Sequence, residues 1–376
     1  MRVLILSDRY LPDATGTALR ISRLVRPLLD DRLCEEIPGL LKHLLPYNAP
    51  GGEDDIAHDE RLNGIYVHRF SSELSLLGGL PALRRHCRFD LIHARGIRMG
   101  LYARLLSILS GIPYTVELNS VNPQHNRLKF RIWSHVLRSA TRLIVLTEYA
   151  GEWLSAEFEI PEDTIDVVMN GVDVDQFYAS TPEKSVVSSR DNCVVGYAGT
   201  FSEWQGVFAF VHSAFLIARE CPETRFLMVG NGPAFRETMK LVDDYGMADR
   251  FLFTGLVDPQ EVPDHIRSMD IFLIPRPPQF LKNQIATPLK LFEAMAMERA
   301  VVVSSVRGLS DMVDDGNTGL IAGPSAQSLA DAVLRLIGDS DLRTAIGKAA
   351  REAMIRHNTW ESAAKHLHRA YLKSLA

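Results

Sequence analysis

Cysteine is scarce. The chain holds only Cys34, Cys87, Cys193 and Cys221, far apart and without a Cys-x-x-Cys pair. That spacing speaks against a disulfide framework and a cysteine zinc site, and fits a reducing cytosol. Long apolar runs are missing too. The longest uncharged stretch, WQGVFAFVHSAFLIA from Trp204 to Ala218, falls short of the roughly 18 apolar residues of a membrane span. It also contains Gln205 and His212, and reads as a buried helix. The opening MRVLILSDRY has an apolar run of only about five residues, against roughly 7–15 in a signal-peptide core. Nor is there a basic excess: the net charge of −5 gives no reason to expect a nucleic-acid binder. Short repeats and low-complexity tracts are absent.

What remains is a globular composition, 46% apolar and 23% charged, in a chain of 376 residues, for which two domains are the expectation. Short β-branched runs recur between helical patterns. In the first half they are RVLILS, GIYVHRF, FDLIHA, PYTVEL, RLIVLT and IDVVMN. In the second they are VVGYAG, RFLMVG, RFLFTG, IFLIP, AVVVSS and TGLIA. Continuous apolar strands alternating with helices predict parallel sheets covered on both faces, hence two doubly wound α/β domains. Such sheets bind ligands beyond the carboxyl ends of their strands, which places the expected site in a cleft between the domains. The first domain is read as residues 1–178. After it, ASTPEKSVVSSRDN is polar, Ser-rich and aperiodic, as a linker should be. The second domain is read as 190–357, and residues 358–376 as a last amphipathic helix.

Charge is unevenly placed. Between Arg84 and Arg142 there are eleven Lys or Arg against two acids, Asp90 and Glu117. Part of this falls on NPQHNRLKFRIWSHVLRS, read as a helix capped by Asn122 and started by Pro123. Leu128, Ile132 and Val136 form its expected apolar face, with Arg127, Arg131, His135 and Arg138 elsewhere. Two readings stand: a solvated basic face, or attraction to anionic lipid headgroups or a phosphorylated acceptor.

Strand–loop–helix junctions carry the candidate chemistry. In GYAGTFSEWQGV, Gly199 follows a strand and Gly206 opens the long apolar helix; MVGNGP repeats the arrangement with Gly230 and Asn231. Glycine there lets backbone N–H groups approach a phosphate, although glycine also ends buried strands for steric reasons alone. In TPLKLFEAMAMERAVVVSS, Thr287 reads as an N-cap and Pro288 as the first helical residue. Lys290 then lies in the first turn, where a cation is unfavourable by roughly 0.3–1 kcal/mol unless an anion is bound. Lys290, Glu293 and Met297 share one stripe, and Leu289, Phe292 and Ala296 the buried one. Lys290 pairs either with Glu293 at the surface or with a phosphate at the helix start; in the second case Glu293 takes ribose hydroxyls. In the first half, Gly16 in RYLPDATGTALR separates a strand from a helix capped by Thr15 or Thr17, and Arg20 is again a cation near a helix start. His93, Arg95, Glu117 and Asn119 end two strands and would project near the cleft.

With these pieces in order the chain resembles the retaining glycosyltransferases of family 4, which have the GT-B architecture. The likeness is carried most specifically by LTEYAGEWLSAEFEIPEDTIDVVMNGVDVDQF, GYAGTFSEWQGV, FLMVGNGP, RFLFTGLV and TPLKLFEAMA. It implies sugar transfer from a nucleotide diphosphate donor (UDP- or GDP-sugar) to a glycan, lipid-linked or small-molecule acceptor. It also implies a cytoplasmic enzyme of polysaccharide or glycoconjugate assembly, with peripheral contact to an anionic membrane as a further expectation. Donor contacts are expected at Gly16, Gly199, Thr200, Gln205, Gly230, Asn231, Thr287, Pro288, Leu289, Lys290 and Glu293. Acceptor-side contacts are expected at Asp13, Thr15, Arg20 and Arg95, and catalytic roles at Asn119, Glu117 and His93. The last helix is expected to cross back onto the first domain, and neither metal nor cofactor is expected.

Three positions depart from the family pattern. Ile285 stands where the first of two glutamates is usual, Thr200 and Gln205 where an Arg and a Lys grip the phosphates, and Asn119 where a histidine is often found. Lys290 is left with more of the phosphate work, with Arg276 or Lys282 as helpers. Retention without an obvious carboxylate nucleophile suggests front-face attack, with Glu117 the one nearby acid available as base or nucleophile. Alternatives are a catalytically reduced nucleotide-sugar-binding partner of the same fold and a sugar-nucleotide epimerase, for which motif detail is lacking.

Overall fold

Uninterrupted apolar runs with β-branched residues become strands, most of them buried on both faces. In the computed structural model, which describes residues 1–8, 16–34, 38–42, 59–62, 65–70, 89–119, 126–178, 192–277 and 288–376, they build two sheets. Contacts divide the chain into unit 1, Met1–Gly171 with Trp360–Ala376, and unit 2, Val172–Thr359.

Unit 1 contains β1 (Val3–Ser7), β2 (Pro38–Lys42), β3 (Asp59–Leu62), β4 (Ile65–Phe70), β5 (Leu91–Arg95), β6 (Tyr114–Leu118), β7 (Arg142–Val145) and β8 (Ile165–Val167). Their order is β3-β4-β2-β1-β5-β6-β7-β8, parallel throughout except for β3 at the edge, which runs antiparallel to β4. β1, β5 and β6 are buried at every residue, as strands covered by helices on both faces must be. The helices are α1 (Gly16–Asp30), α2 (Gly96–Ser110), α3 (Arg127–Arg138), α4 (Glu148–Phe158) and, from the far end of the chain, α11 (Trp360–Leu375), which packs on α1.

Unit 2 contains β9 (Val194–Ala198), β10 (Arg225–Val229), β11 (Phe251–Gly255), β12 (Ile271–Ile274), β13 (Ala300–Ser304) and β14 (Leu320–Ala322), all parallel in the order β11-β10-β9-β12-β13-β14. Its helices are α5 (Val207–Glu220), α6 (Phe235–Asp244), α7 (Val262–Arg267), α8 (Leu289–Ala296), α9 (Ala326–Gly338) and α10 (Ser340–His357). One core lies between the sheet and α5 with α9, and a second on the other face beneath α8 and α10. The stretch from Trp204 is the expected buried helix, α5, with Phe210, Ala214 and Ile217 inside.

Three local expectations change. Asn122 and Pro123 lie outside the described residues, and α3 is capped by Asn126, whose Oδ1 accepts from the N–H groups of Leu128 (3.0 Å) and Lys129 (3.2 Å). Of its expected apolar face only Val136 is buried; Leu128 and Ile132 face solvent. α8 begins one residue later than the sequence suggests, because Pro288 has an extended ψ of 125° and occupies the cap position. Lys290 is therefore its second residue. It is buried with Phe292 and Ala296, because α10 and β13 cover the helix nearly all round; Leu289 and Glu293 are half-buried.

Candidate functional site

In unit 2 the strand order reverses between β9 and β12, neighbours in the sheet although β10 and β11 intervene in sequence. At such a reversal the crossovers leave to opposite faces, and ligands bind beyond the carboxyl ends. Gly199 follows β9 with φ 141°, and Gly230 follows β10 with φ 122°, backbone conformations that L side chains rarely adopt. A Cβ on Gly230 would lie 2.1 Å from the Gly199 carbonyl oxygen. Their N–H groups are not turned to a ligand, as the sequence suggested: Gly199 donates to Val229 O (2.9 Å) and Gly230 to Gly255 O (3.0 Å). What these glycines supply is close backbone approach. Thr200 is exposed beside them, its carbonyl accepting from the Tyr197 hydroxyl (2.8 Å); Asn231 is exposed, with its backbone oxygen taking the Phe201 N–H (3.0 Å).

The start of α5 presses on the segment leaving β12, since a Cβ on Gly206 (φ 84°) would lie 1.9 Å from Pro275 O. This close approach brings Gln205 beside Arg276, whose Nη2 donates to Gln205 Oε1 (3.4 Å). The Arg276 guanidinium also lies 5.3 Å from the centre of the Trp204 ring. Lys290, from α8, completes the group. Its Nζ is 4.0 Å from the centroid of the Tyr197 ring, and a Cβ on Gly199 would be 3.1 Å from it. Lys290 is 8% exposed, and its Nζ has no hydrogen-bond partner among the described residues. The surface pair with Glu293 is thus not what holds it. Burial drives the Lys290 pKa well below 10.5, the Arg276 charge pushes the same way, and Glu293 opposes. Burial also lowers Arg276 to about 10. A buried ammonium without a hydrogen-bond acceptor is costly, and the Tyr197 ring offsets only part of that cost. An anion bound there would remove the rest.

Thr287, Ile285 and Lys282 lie outside the described residues, as do Asp13 and Thr15; Gly16 opens α1.

Unit 1 gathers the other candidates at the ends of β5 and β6, and closes them on one another. Glu117, 1% exposed, accepts from Arg95 Nε (3.0 Å), Arg20 Nε (3.2 Å) and Arg20 Nη2 (3.4 Å). Arg20 does not wait for an outside anion. Its remaining donors go to Asn170 Oδ1 (2.8 Å), Val168 O (2.8 Å) and Met169 O (3.1 Å). Asn119, with its amide turned to suit its neighbours, donates to Glu117 Oε1 (2.9 Å) and accepts from Arg95. His93 Nδ1 meets Thr115 Oγ1 at 3.2 Å, its Nε2 is 3.8 Å from Glu117 Oε2, and Tyr371 of α11 packs edge-on against its ring. Burial lowers His93 to about 4, so it is neutral at neutral pH. Burial alone would raise Glu117, but Arg20 and Arg95 overcome it and hold the carboxylate below its usual range. Glu117 is the hub of an internal ion cluster, its carboxylate already engaged, and not a free base or nucleophile. Arg20 and Arg95 are likewise taken up inside the fold.

The sequence marks neither Tyr197 nor Trp204 as the neighbour of a cation. Nothing local marks them, because each meets its cation from a distant segment. Among the described residues no group of three or more His, Cys, Asp or Glu is placed to hold a metal ion, and no helix is long and apolar enough to cross a membrane.

Two doubly wound units built on parallel sheets, one with buried cations at its strand-order reversal, have the GT-B class of fold. The whole chain matches such a structure, that of Anabaena Alr3699/HepE in complex with UDP, with a TM-score of 0.78 at 17% identity, over 99% of this chain and 100% of that one. Residues 43–176 match the family described as Glycosyltransferase Family 4, and residues 192–339 that described as Glycosyl transferases group 1. The chain belongs to the family 4, group 1 glycosyltransferases. It is 26% identical over 260 residues to the alpha-D-kanosaminyltransferase of Streptomyces kanamyceticus, a match spanning 64% of this chain and 66% of that protein, just under two thirds. It is also 26% identical over 412 residues to the alpha-maltose-1-phosphate synthase of Mycolicibacterium smegmatis, covering 99% of both.

Proposed function

We propose that this glycosyltransferase takes a sugar from a UDP- or GDP-sugar held by unit 2 and passes it, with retention of anomeric configuration, to a hydroxyl of a glycan, lipid-linked or small-molecule acceptor. The observation that carries the reading is Lys290: a buried ammonium with no hydrogen-bond partner among the described residues, at the reversal of a parallel sheet. Its missing partner is the donor diphosphate, with Arg276 as a second cation nearby. The half-buried Glu293, one turn further along α8, takes the ribose hydroxyls. A structural neighbour of the same fold holds UDP, which is consistent with a nucleotide donor.

In the transfer step, the bond from the anomeric carbon to the diphosphate oxygen breaks while the acceptor oxygen bonds to that carbon on the same face. The acceptor proton passes to the departing diphosphate oxygen. No protein carboxylate takes part, which agrees with Glu117 being saturated by two arginines. The protein's contribution is to stabilise charge building on the diphosphate, and buried Lys290 and Arg276 are fixed before the reaction starts. With these cations in place the step needs no metal, so activity should persist in excess EDTA.

A thermal-shift screen of nucleotide sugars selects the donor, because binding to the native state raises the melting temperature. Proton NMR of the product then reads the anomeric configuration. Glu293→Ala should weaken UDP or GDP far more than pyrophosphate, and equal loss of both would remove the ribose role. An inverted product would refute the front-face step.

A further inference from the structure

The outer face of α2 is unlike that of an ordinary surface helix. Its sequence, GIRMGLYARLLSILS, has apolar residues all round. Ile97, Met99, Ala103 and Leu106 are buried on the inner side. The outer side carries Leu101 (39% exposed), Leu105 (40%), Ile108 (66%) and Leu109 (63%). Their spacing of four, three and one puts them in one stripe, where a solvated helix would show polar residues. α3 lies beside α2, with Gly100 so close to Val136 that a Cβ would be 2.9 Å from its Cγ1, and Arg104 Nε 3.0 Å from His135 Nε2. α3 adds Leu128 (67% exposed) and Ile132 (40%), four residues apart on one face. Exposed apolar patches of this extent mark contact surfaces.

The charges carried by these two helices have a single sign. Arg98 on α2 and Arg127, Lys129 and Arg131 on α3 are exposed, and neither helix contains an Asp or Glu. Arg138, at the end of α3, pairs with Glu159 at 2.7 Å. Two copies of this chain meeting through the same face would set arginine against arginine, which disfavours a symmetric dimer. α2 has 15 residues, too few to cross a bilayer, so the face suits lying on a membrane.

We propose that the α2–α3 face of unit 1 docks on an anionic lipid surface. Leu101, Leu105, Ile108 and Leu109, with Leu128 and Ile132, enter the boundary between headgroups and acyl chains. Arg98, Arg127, Lys129 and Arg131 pair with headgroup phosphates. This does not depend on which donor unit 2 binds.

The test is flotation of the full chain with phosphatidylcholine vesicles, with and without about a third phosphatidylglycerol, at low and high salt. Binding is expected to the anionic vesicles, at least tenfold weaker to the neutral ones, and weaker in high salt. Ile108→Ser with Leu109→Ser, and separately Lys129→Glu with Arg131→Glu, should each reduce it at least tenfold. These side chains are exposed, so melting temperature and circular dichroism should stay unchanged and show that the variants fold. Absence of binding to anionic vesicles would overturn the proposal, as would binding that neither double variant weakens. A concentration-dependent dimer in light scattering that Ile108→Ser with Leu109→Ser abolishes would assign the face to a second copy and overturn it too.

Discussion

Replacing Lys290 by methionine should change two properties in opposite directions. The substitution keeps the stem that packs on Tyr197 and removes the buried ammonium, which has no hydrogen-bond partner among the described residues. In the free protein that removes a desolvation cost of about 1–3 kcal/mol and forfeits a cation–π contact of about 1 kcal/mol, so the net gain is about 1 kcal/mol. For a unit of this size that is a rise in melting temperature of roughly 2–4 °C. In the nucleotide complex the same change deletes a charge-assisted contact to phosphate, about 1.5–3 kcal/mol. At about 1.4 kcal/mol per decade, UDP or GDP binding should weaken roughly 10- to 150-fold. Scanning fluorimetry without ligand and titration calorimetry with each nucleotide read the two arms. A variant that binds both nucleotides as the natural chain does would show that the diphosphate lies elsewhere. One that is less stable without ligand would show that Lys290 is satisfied within the fold.

The remaining predictions concern protons, the unit 1 cluster and the glycines. Lys290 has a lowered pKa in the free protein, and a bound diphosphate would raise it again, so nucleotide binding should take up protons. Between the lowered value and 10.5 affinity falls as pH rises; calorimetry in buffers of different ionisation enthalpy should show uptake that Lys290→Met abolishes, and zero uptake in the natural chain would contradict it. Glu117→Gln leaves Arg20 and Arg95 buried beside an uncharged partner and should cost about 3–5 kcal/mol in urea unfolding. Lost activity at unchanged stability would instead make Glu117 a catalytic base. His93 falls from 6.5 to about 4 on folding, so the unfolded chain binds the extra proton and stability drops as pH falls from 6.5 towards 4. His93→Gln should flatten that part of the curve, while the loss from Glu117 comes at lower pH and remains. Gly230→Ala forces a Cβ to within 2.1 Å of Gly199 O and should cost both stability and donor binding. Gly246→Ala, also at positive φ (66°) but with open space around it, should cost only about 1–2 kcal/mol and leave binding unchanged.

The strands were legible from the chain itself. All twelve apolar runs picked out by composition are strands; the inner ones are apolar because both faces are covered, while the edge strands β8 and β11 are only partly buried. Two strands went unseen: PGLLK begins with Pro38 and Gly39, and DERL is a charged edge whose pairing with β4 depends on its neighbour. Candidate residues could also be named, since chemistry-bearing side chains at the carboxyl ends of parallel strands stand out in a sequence. Their state was not. Arg20 and Lys290 looked alike, each a cation near the start of a helix. The tertiary structure separates them: Arg20 meets Glu117, Asn170 and two carbonyls brought by other segments, whereas Lys290 lies against the face of Tyr197 with no hydrogen-bond partner among the described residues. Sequence determines which charges are carried into a core by the apolar residues around them. Which charges find a counter-charge there is decided by long-range packing, because the partners lie on segments that only the completed sheet brings together.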